Sequence, residues 1–230
     1  MAESFQERLE RVQAQIAAAS ERAGRDPSGV TLVAVSKTHP PEAVREAAEA
    51  GLRVFGESRV QEAQAKIPQC PGHLSWHLVG HLQRNKAGLA ASLFDLVHSV
   101  DSLRLLEALD RAAAEAGKTL PVLIEVNVSG ERSKFGVAPE EVPALLQAAN
   151  SLARVEVRGL MTMPPFTEDP EGARPFFREL RERRDAWCTE LGIPLNELSM
   201  GMTHDLEIAV EEGATLVRVG TALFGERTAA

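Results

Sequence analysis

The chain has 230 residues, of which 44% are hydrophobic and 25% charged, and its formal net charge is −8 at neutral pH. This composition is ordinary for a soluble globular protein with one large α/β domain or two small ones. The negative charge argues against a general nucleic-acid or anionic-membrane binder. Two cysteines are too few for a disulfide framework, and we expect a cytoplasmic protein because no signal peptide or long apolar span is apparent.

The predicted elements follow a regular order along the chain. Apolar residues at helical spacing predict a helix over residues 5–24, with Gly24 as its stop. A short apolar run followed by a helical pattern then repeats eight times. The eight predicted strands cover residues 31–36, 53–55, 74–79, 94–100, 122–128, 155–161, 198–200 and 215–219. The helix predicted after the second strand ends near residue 67, and the helix predicted after the third strand begins near residue 85. The other predicted helices cover residues 41–50, 102–116, 139–151, 170–191, 204–212 and 221–225.

This alternation predicts the fold class. Strands separated by helices are joined by right-handed parallel crossovers. Eight such units in about 200 residues match the lower size limit of a (β/α)8 TIM barrel. We therefore predict one α/β domain over residues 1–230, with an extra helix at 1–24 and a barrel at 31–227. An open doubly wound sheet is the alternative, although no GxGxxG motif follows the first strand.

Lys37 stands at the C-terminal end of the first predicted strand, where the chemistry of such barrels takes place. An ammonium beside a hydrophobic strand end is desolvated, which lowers its pKa towards that of a nucleophilic amine. Such a lysine can form a Schiff base with an aldehyde or ketone. A single lysine at a strand end more commonly extends its charged group into solvent. Whether Lys37 is functional must therefore be judged from the residues at the other strand ends.

The last two strand ends are typical of a phosphate site. Residues 199–203 lead into a predicted helix with Thr203 as its N-cap, and Gly220 and Thr221 offer further backbone amides. Phosphate sites in barrels commonly follow strands seven and eight. A lysine for an aldehyde across from a phosphate cradle favours pyridoxal phosphate (PLP) over other common ligands. Taken singly, these residues are more often ordinary turn and cap residues.

Two histidines raise the question of a metal. His77 and His81 are four residues apart, but they span a strand and a glycine turn and so do not share a helix face. No third ligand accompanies them in the sequence pattern. We therefore interpret them as pocket or loop histidines and expect no metal site.

Six ordered motifs carry a family resemblance. They are VAVSK at 33–37, FGESRVQE at 55–62, HLVGHLQRNK at 77–86, GLMTMP at 159–164, LSMGMTHD at 198–205 and VRVGTALFGER at 217–227. In register from about residue 5 to residue 227, the chain resembles the pyridoxal phosphate homeostasis protein family. The resemblance implies a single barrel similar to the N-terminal domain of alanine racemase, which holds PLP as a Schiff base.

The resemblance also implies roles for eight residues. Lys37 corresponds to the Schiff-base lysine, and Arg218 to a residue near the pyridine nitrogen. The residues implied around the phosphate are Ser199, Gly201, Thr203, Gly220 and Thr221. Ser58 is implied to contact the cofactor, although the family often has asparagine at this position. For Arg218 two interpretations stay open, an ion pair with Glu57 or the pyridine contact, which would keep that nitrogen unprotonated. We favour the second, because the residue points into a mouth already assigned to a cofactor.

The function implied is a carrier that buffers PLP and supplies it to PLP-dependent apo-enzymes, as a monomer and without a nucleic-acid or membrane partner. Racemization in the related barrel needs a second base, a tyrosine from a separate domain of the partner subunit. This chain has no tyrosine, so we expect no catalysis beyond a weak racemase-like side reaction. The alternatives are a small PLP-dependent enzyme acting on amino acids and a barrel that binds another phosphorylated ligand non-covalently.

Overall fold

Eight parallel strands form a closed barrel in the computed structural model, which describes residues 3–131 and 133–225. Each strand pairs with its neighbour in the sequence, and β1 closes the barrel against β8, with Val33 opposite Arg218. The strands are β1 Thr31–Val35, β2 Val54–Glu57, β3 Ser75–Leu78, β4 Leu96–Val100, β5 Leu120–Glu125, β6 Val155–Met161, β7 Glu197–Ser199 and β8 Leu216–Val219. The predicted TIM barrel is confirmed, and the open doubly wound sheet is wrong.

The described residues form nine α-helices, most of which lie between consecutive strands around the barrel. They are α1 Phe5–Arg22, α2 Pro41–Glu49, α3 Val60–Lys66, α4 Ala87–Leu93, α5 Leu103–Glu115, α6 Val142–Ala149, α7 Arg174–Leu191, α8 Leu206–Glu211 and α9 Thr221–Phe224. Within these residues, no helix combines the length and the apolar character that crossing a membrane requires.

The N-terminal helix α1 lies against the side of the barrel. A capping box starts it, because Ser4 Oγ accepts from the Glu7 amide and the Glu7 carboxylate accepts from the Ser4 amide. Its apolar face is buried through Leu9, Val12 and other residues of the same stripe. Arg22 near its end forms ion pairs with Glu207 and Glu211 of α8, at 2.7 and 2.6 Å.

The strands are buried on both faces, and alternation divides their side chains between two apolar clusters. A small cluster fills the barrel interior and comprises Val33, Val35, Val79, Leu96, Leu123, Met161 and Leu216. Their neighbours in the sequence, such as Ala34 and Val217, belong to the large cluster between strands and helices. Since successive strand side chains point to opposite faces, the same alternation places several polar residues inside the barrel: His77, His98, Glu125, Ser199 and Arg218.

Several predicted boundaries differ from the structure, and among the strand ends the fifth strand differs most. The fifth strand was expected to continue to residue 128, but β5 ends at Glu125. Val126 forms only an isolated bridge with Val137, and Asn127 Oδ1 then accepts from the Gly130 amide in a turn. The range predicted for the barrel ends at residue 227, and residues 226 and 227 lie outside the described part of the chain.

The helix after β7 was expected to begin at residue 204 with Thr203 as its N-cap, and this prediction is wrong. The helix begins at Leu206 and its N-cap residue is Asp205. Asp205 Oδ1 accepts from the Met202 amide at 2.7 Å and so closes the turn that precedes the helix.

Candidate functional site

A cavity of about 250 Å³ opens at the C-terminal end of the barrel. Its walls come from the loops that follow several strands, as expected for the functional face of a TIM barrel. Six of the eight predicted site residues line it: Lys37, Ser58, Thr203, Arg218, Gly220 and Thr221. Ser199 and Gly201 lie beneath this surface and are both buried. The folded chain therefore brings residues from its two ends into one cavity.

Lys37 enters the cavity from the end of β1. Val33 and Val35 point into the barrel, and Lys37 continues that alternation just beyond the strand. Ser36 between them is buried, and its amide donates to the Gly56 carbonyl of β2 at 3.0 Å. Lys37 itself is half-buried and lines the cavity.

Arg218 is buried at the floor of the cavity, where two hydrogen bonds fix its guanidinium. Nη1 donates to Ser199 Oγ at 2.6 Å, and Nη2 donates to the Thr162 carbonyl at 3.0 Å. Burial lowers the pKa of Arg218 to about 10, while Glu125 and Asp205 oppose that shift. The side chain is therefore a cation at neutral pH. The ion pair considered between Arg218 and Glu57 is not formed, because Glu57 accepts from Lys66 instead, at 2.7 Å.

A buried chain of polar groups continues from Arg218 across the barrel. Ser199 Oγ lies 2.8 Å from His98 Nδ1, and His98 Nε2 lies 3.0 Å from His77 Nδ1. Burial lowers the pKa of His77 to about 4 and that of His98 well below its usual value. Both rings are thus neutral at pH 7. Ser199 lies between His98 and Arg218 and contacts both of them.

Sequence reasoning missed Glu125, which does not line the cavity but lies near Arg218 at its floor. It lies at the C-terminal end of β5 and is buried near Arg218. Burial raises its pKa to about 7, with Arg218 opposing the shift. Because strand five was predicted to continue to residue 128, Glu125 was not recognised as a residue at a strand end. The available signal was the alternation of side chains along the strand, which places Glu125 on the same inward face as Leu123.

The loops after β7 and β8 meet at one side of the cavity. Thr203 Oγ1 accepts from the Ala222 amide at 3.4 Å, so the first loop contacts the start of α9. Gly201 has a φ of +89°, and its carbonyl accepts from the Arg218 amide at 3.0 Å. At Gly220 a Cβ would lie 3.2 Å from the Val35 carbonyl oxygen. Small residues, hydroxyls and backbone amides therefore form this edge, which is the chemistry that suits a phosphate.

The second histidine of the sequence motif lies elsewhere. His81 stacks on Phe135 with ring centroids 3.8 Å apart, and its Nδ1 is 3.2 Å from Asp101. The partner of His77 is instead His98. Within residues 3–131 and 133–225, no group of three or more His, Cys, Asp or Glu side chains is arranged to hold a metal ion.

Known proteins are similar to this chain in sequence and in architecture. The family described as alanine racemase, N-terminal domain, matches residues 8–228. The pyridoxal phosphate homeostasis protein of Aquifex aeolicus is 48% identical over 222 residues, which are 96% of this chain and 97% of that one. The protein of the same name from Pseudomonas aeruginosa is 47% identical over 96% of this chain and 95% of its own length. The structure of PipY from Synechococcus elongatus with PLP bound is 42% identical with a TM-score of 0.83, and the match covers 96% of this chain and all of that one.

The closed barrel and its mouth cavity define a protein of the alanine racemase N-terminal domain class. Within that class, the chain belongs to the pyridoxal phosphate homeostasis protein family.

Proposed function

We propose that this protein binds PLP in the cavity at the barrel mouth and acts in PLP homeostasis, as a carrier that buffers and supplies the cofactor. The observation that carries the proposal is the joint placement of Lys37, Arg218 and the loop of Gly220 and Thr221 around one cavity. The bound PLP in a relative that is 42% identical supports the choice of ligand.

The residues present fit this cofactor. PLP would supply an aldehyde, and the Lys37 amine would hold it as a Schiff base, with the aldehyde oxygen lost as water and the bond reversible by hydrolysis or transimination. Thr203, Gly220 and Thr221 would hold the phosphate through hydroxyls and backbone amides. Ser58 lies on the cavity wall, where its hydroxyl can contact the cofactor.

The two deeper residues, Ser199 and Gly201, would act on the same site from below. Ser199 holds the guanidinium of Arg218 through Oγ, and the Gly201 carbonyl accepts from the backbone amide of Arg218. We also propose that Ser199 and Gly201 lie around the phosphate, as the resemblance implies. Their observed hydrogen bonds are those with Arg218.

Arg218 favours a carrier over an enzyme. A guanidinium that is held cationic has no proton acceptor to offer and cannot protonate a pyridine nitrogen at neutral pH. An unprotonated ring is a weak electron sink and does little to stabilise a carbanion. The polar groups of this floor therefore suit storage and release of PLP.

A second candidate function is a small PLP-dependent enzyme acting on amino acids. His39 and His204 line the same cavity as Lys37, and a histidine across from the lysine is the kind of group that could accept a proton. Turnover assays with amino acids on the PLP-loaded protein distinguish the two functions. Racemization at rates well above those of free PLP would favour the enzyme.

The test of binding is the visible absorbance of the purified protein with added PLP, beside the variant Lys37→Ala. We expect a yellow band that borohydride removes in the wild type and that the variant lacks. Lys118→Ala is the matched control, because this half-buried lysine donates to the Phe94 carbonyl away from the cavity. It should keep the band. A wild type without any band, even in excess PLP, would refute Schiff-base binding and leave non-covalent binding of another phosphorylated ligand as the alternative.

The remaining features of the proposal concern the whole protein. We propose that residues 1–230 act as one domain, that the protein is a cytoplasmic monomer, and that PLP-dependent apo-enzymes are its partners. Sedimentation analysis tests the monomer, and cell fractionation tests the location. Reactivation of an apo-enzyme by the loaded protein, compared with an equal amount of free PLP, tests the transfer.

A further inference from the structure

A buried ion cluster lies behind the loop that carries Lys37. Lys66, the last residue of α3, donates from Nζ to Glu57 Oε1 at 2.7 Å and to Glu62 Oε1 at 2.9 Å. Lys66 is 5% exposed and Glu57 is fully buried. Buried charges contribute little net stability unless hydrogen bonds satisfy them, so a cluster at this place needs an explanation.

The same cluster holds the backbone on both sides of Lys37. Lys66 Nζ also donates to the carbonyl of Ser36, at 2.8 Å, which belongs to the peptide group before Lys37. Glu62 Oε1 accepts from the Thr38 amide, at 2.5 Å, which belongs to the peptide group after it. Both peptide groups of Lys37 are therefore anchored to one set of three charged side chains.

Glu57 adds a further contact to the same segment. Its Oε1 accepts from the Ser36 hydroxyl at 2.7 Å, beside the bond from Lys66. None of Glu57, Glu62 and Lys66 is among the residues that line the cavity. Their observed contacts with this segment are those with the Ser36 hydroxyl and carbonyl and with the Thr38 amide, on either side of Lys37.

Thr38 adopts an unusual conformation at this point. Its φ is +67°, and it is the one non-glycine residue with a positive φ in the described part of the chain. A β-branched residue is disfavoured there, and such a conformation persists only where the surroundings impose it. The hydrogen bond from the Thr38 amide to Glu62 is a contact that imposes it.

We propose that Glu57, Glu62 and Lys66 form a clamp that positions Lys37, by holding the chain after β1 in the turn that directs the amine into the cavity. The inference rests on the proposed function, in which Lys37 binds the cofactor's aldehyde. The three are positioning residues: they fix the backbone before the ligand arrives, so the amine does not have to be ordered at the moment of binding.

The test compares Glu62→Ala with Glu62→Gln, which keeps an oxygen that can accept from Thr38. Gln64→Ala, an exposed change on the same helix, is the control. One readout is the PLP concentration that gives half-maximal borohydride-trapped adduct on Lys37. The other is hydrogen exchange of the Thr38 amide without PLP. For Glu62→Ala we expect an affinity loss of about tenfold, as for a lost hydrogen bond to a charged group, and faster exchange. The other two variants should stay within about twofold of the wild type.

A second background separates positioning from general stability. Glycine accepts a positive φ without strain, so in Thr38→Gly the clamp has less to impose. We expect Glu62→Ala to cost less than about threefold in that background, because the strained residue is gone. Equal losses in both backgrounds, no loss in either, or failure of Glu62→Ala to fold would each overturn the positioning role.

The outcome is distinguishable from failure of the proposed function. If the wild type forms no adduct, the proposed function fails while the Thr38 exchange rates still report on the clamp. If the wild type forms the adduct and Glu62→Ala matches it, the clamp alone is refuted.

Discussion

Arg218 illustrates how a single side chain acquires its properties from burial. In water a guanidinium is an ordinary cation, but here it donates hydrogen bonds to two protein oxygens, on Ser199 and Thr162. The guanidinium is thereby held in one orientation at the floor of the cavity. Fixed orientation is what a site needs if a cation is to meet one atom of a flat ligand.

Ser199→Ala tests this contact. The change removes an acceptor from Arg218 and a partner from His98, both of which are buried. We expect a loss of about 1–3 kcal/mol in unfolding free energy, the usual cost of unsatisfied buried groups. The adduct on Lys37 should still form, with weaker PLP binding. Urea denaturation and a PLP titration measure the two effects.

The control for that change is Ser92→Ala, at an exposed serine whose hydroxyl donates to the Leu89 carbonyl on α4. It should leave both measurements within about 0.5 kcal/mol of the wild type. Equal behaviour of the two variants would mean that Ser199 does not support Arg218.

At the scale of single elements, the loop between β7 and α8 depends on one glycine. Gly201 has a φ of +89°, and a Cβ there would lie 2.4 Å from the Cβ of Ala209 on α8. Real Cβ atoms do not approach that closely, so the loop or the helix would have to move. Because the Gly201 carbonyl also accepts from the Arg218 amide, such a movement would reach the floor of the cavity.

Gly201→Ala should therefore destabilise the protein and weaken PLP binding together. We expect a loss of about 2–4 kcal/mol in unfolding free energy, from overpacking and backbone strain combined. The control is Gly72→Ala, where an added Cβ meets no atom within 4 Å beyond its chain neighbours. Thermal and urea unfolding of the two variants provide the measurement, and similar losses in both would contradict the packing argument.

For the whole molecule, the buried histidines and Glu125 make stability depend on pH in opposite directions. His77 has a pKa lowered from 6.5 to about 4, so between these values only the unfolded chain binds its proton. Stability from His77, and likewise from His98, is therefore lost as pH falls below 6.5. Glu125 has a pKa raised from 4.5 to about 7, so the folded chain keeps a proton that the unfolded chain releases. Its contribution is lost as pH rises from 4.5 to 7.

Glu125→Gln removes the pH dependence due to Glu125 and leaves that due to His77 and His98. The stability of the variant relative to the wild type should rise between pH 4.5 and 7, with a slope of up to about 1.4 kcal/mol per pH unit. Urea denaturation at a series of pH values measures it, with Glu140→Gln as an exposed control. A difference that stays constant across this range would show that the Glu125 carboxyl does not hold its proton in the folded state.

Much of this architecture follows from local pattern. The apolar β-branched runs and the helical spacing between them determined the number, order and type of the elements, because both periodicities are local. The position of Lys37 after the first strand and of Gly220 after the last was also readable. Barrel topology then requires all such strand ends to meet on one face. Boundaries were less predictable, as the end of β5 and the start of α8 show, because hydrogen bonds of Val137 and Asp205 decide them.

The tertiary structure alone decided which polar groups touch. The series of side-chain contacts from Arg218 to His77 joins β8, β7, β4 and β3, and no spacing in the sequence predicts it. The partner of Glu57 is likewise Lys66 and not Arg218, because Glu57 faces the outer helices while Arg218 faces the barrel interior. Local periodicity assigns a residue to an element and a face, whereas the pairing of side chains and the pKa values depend on distances and burial that exist only after the barrel closes.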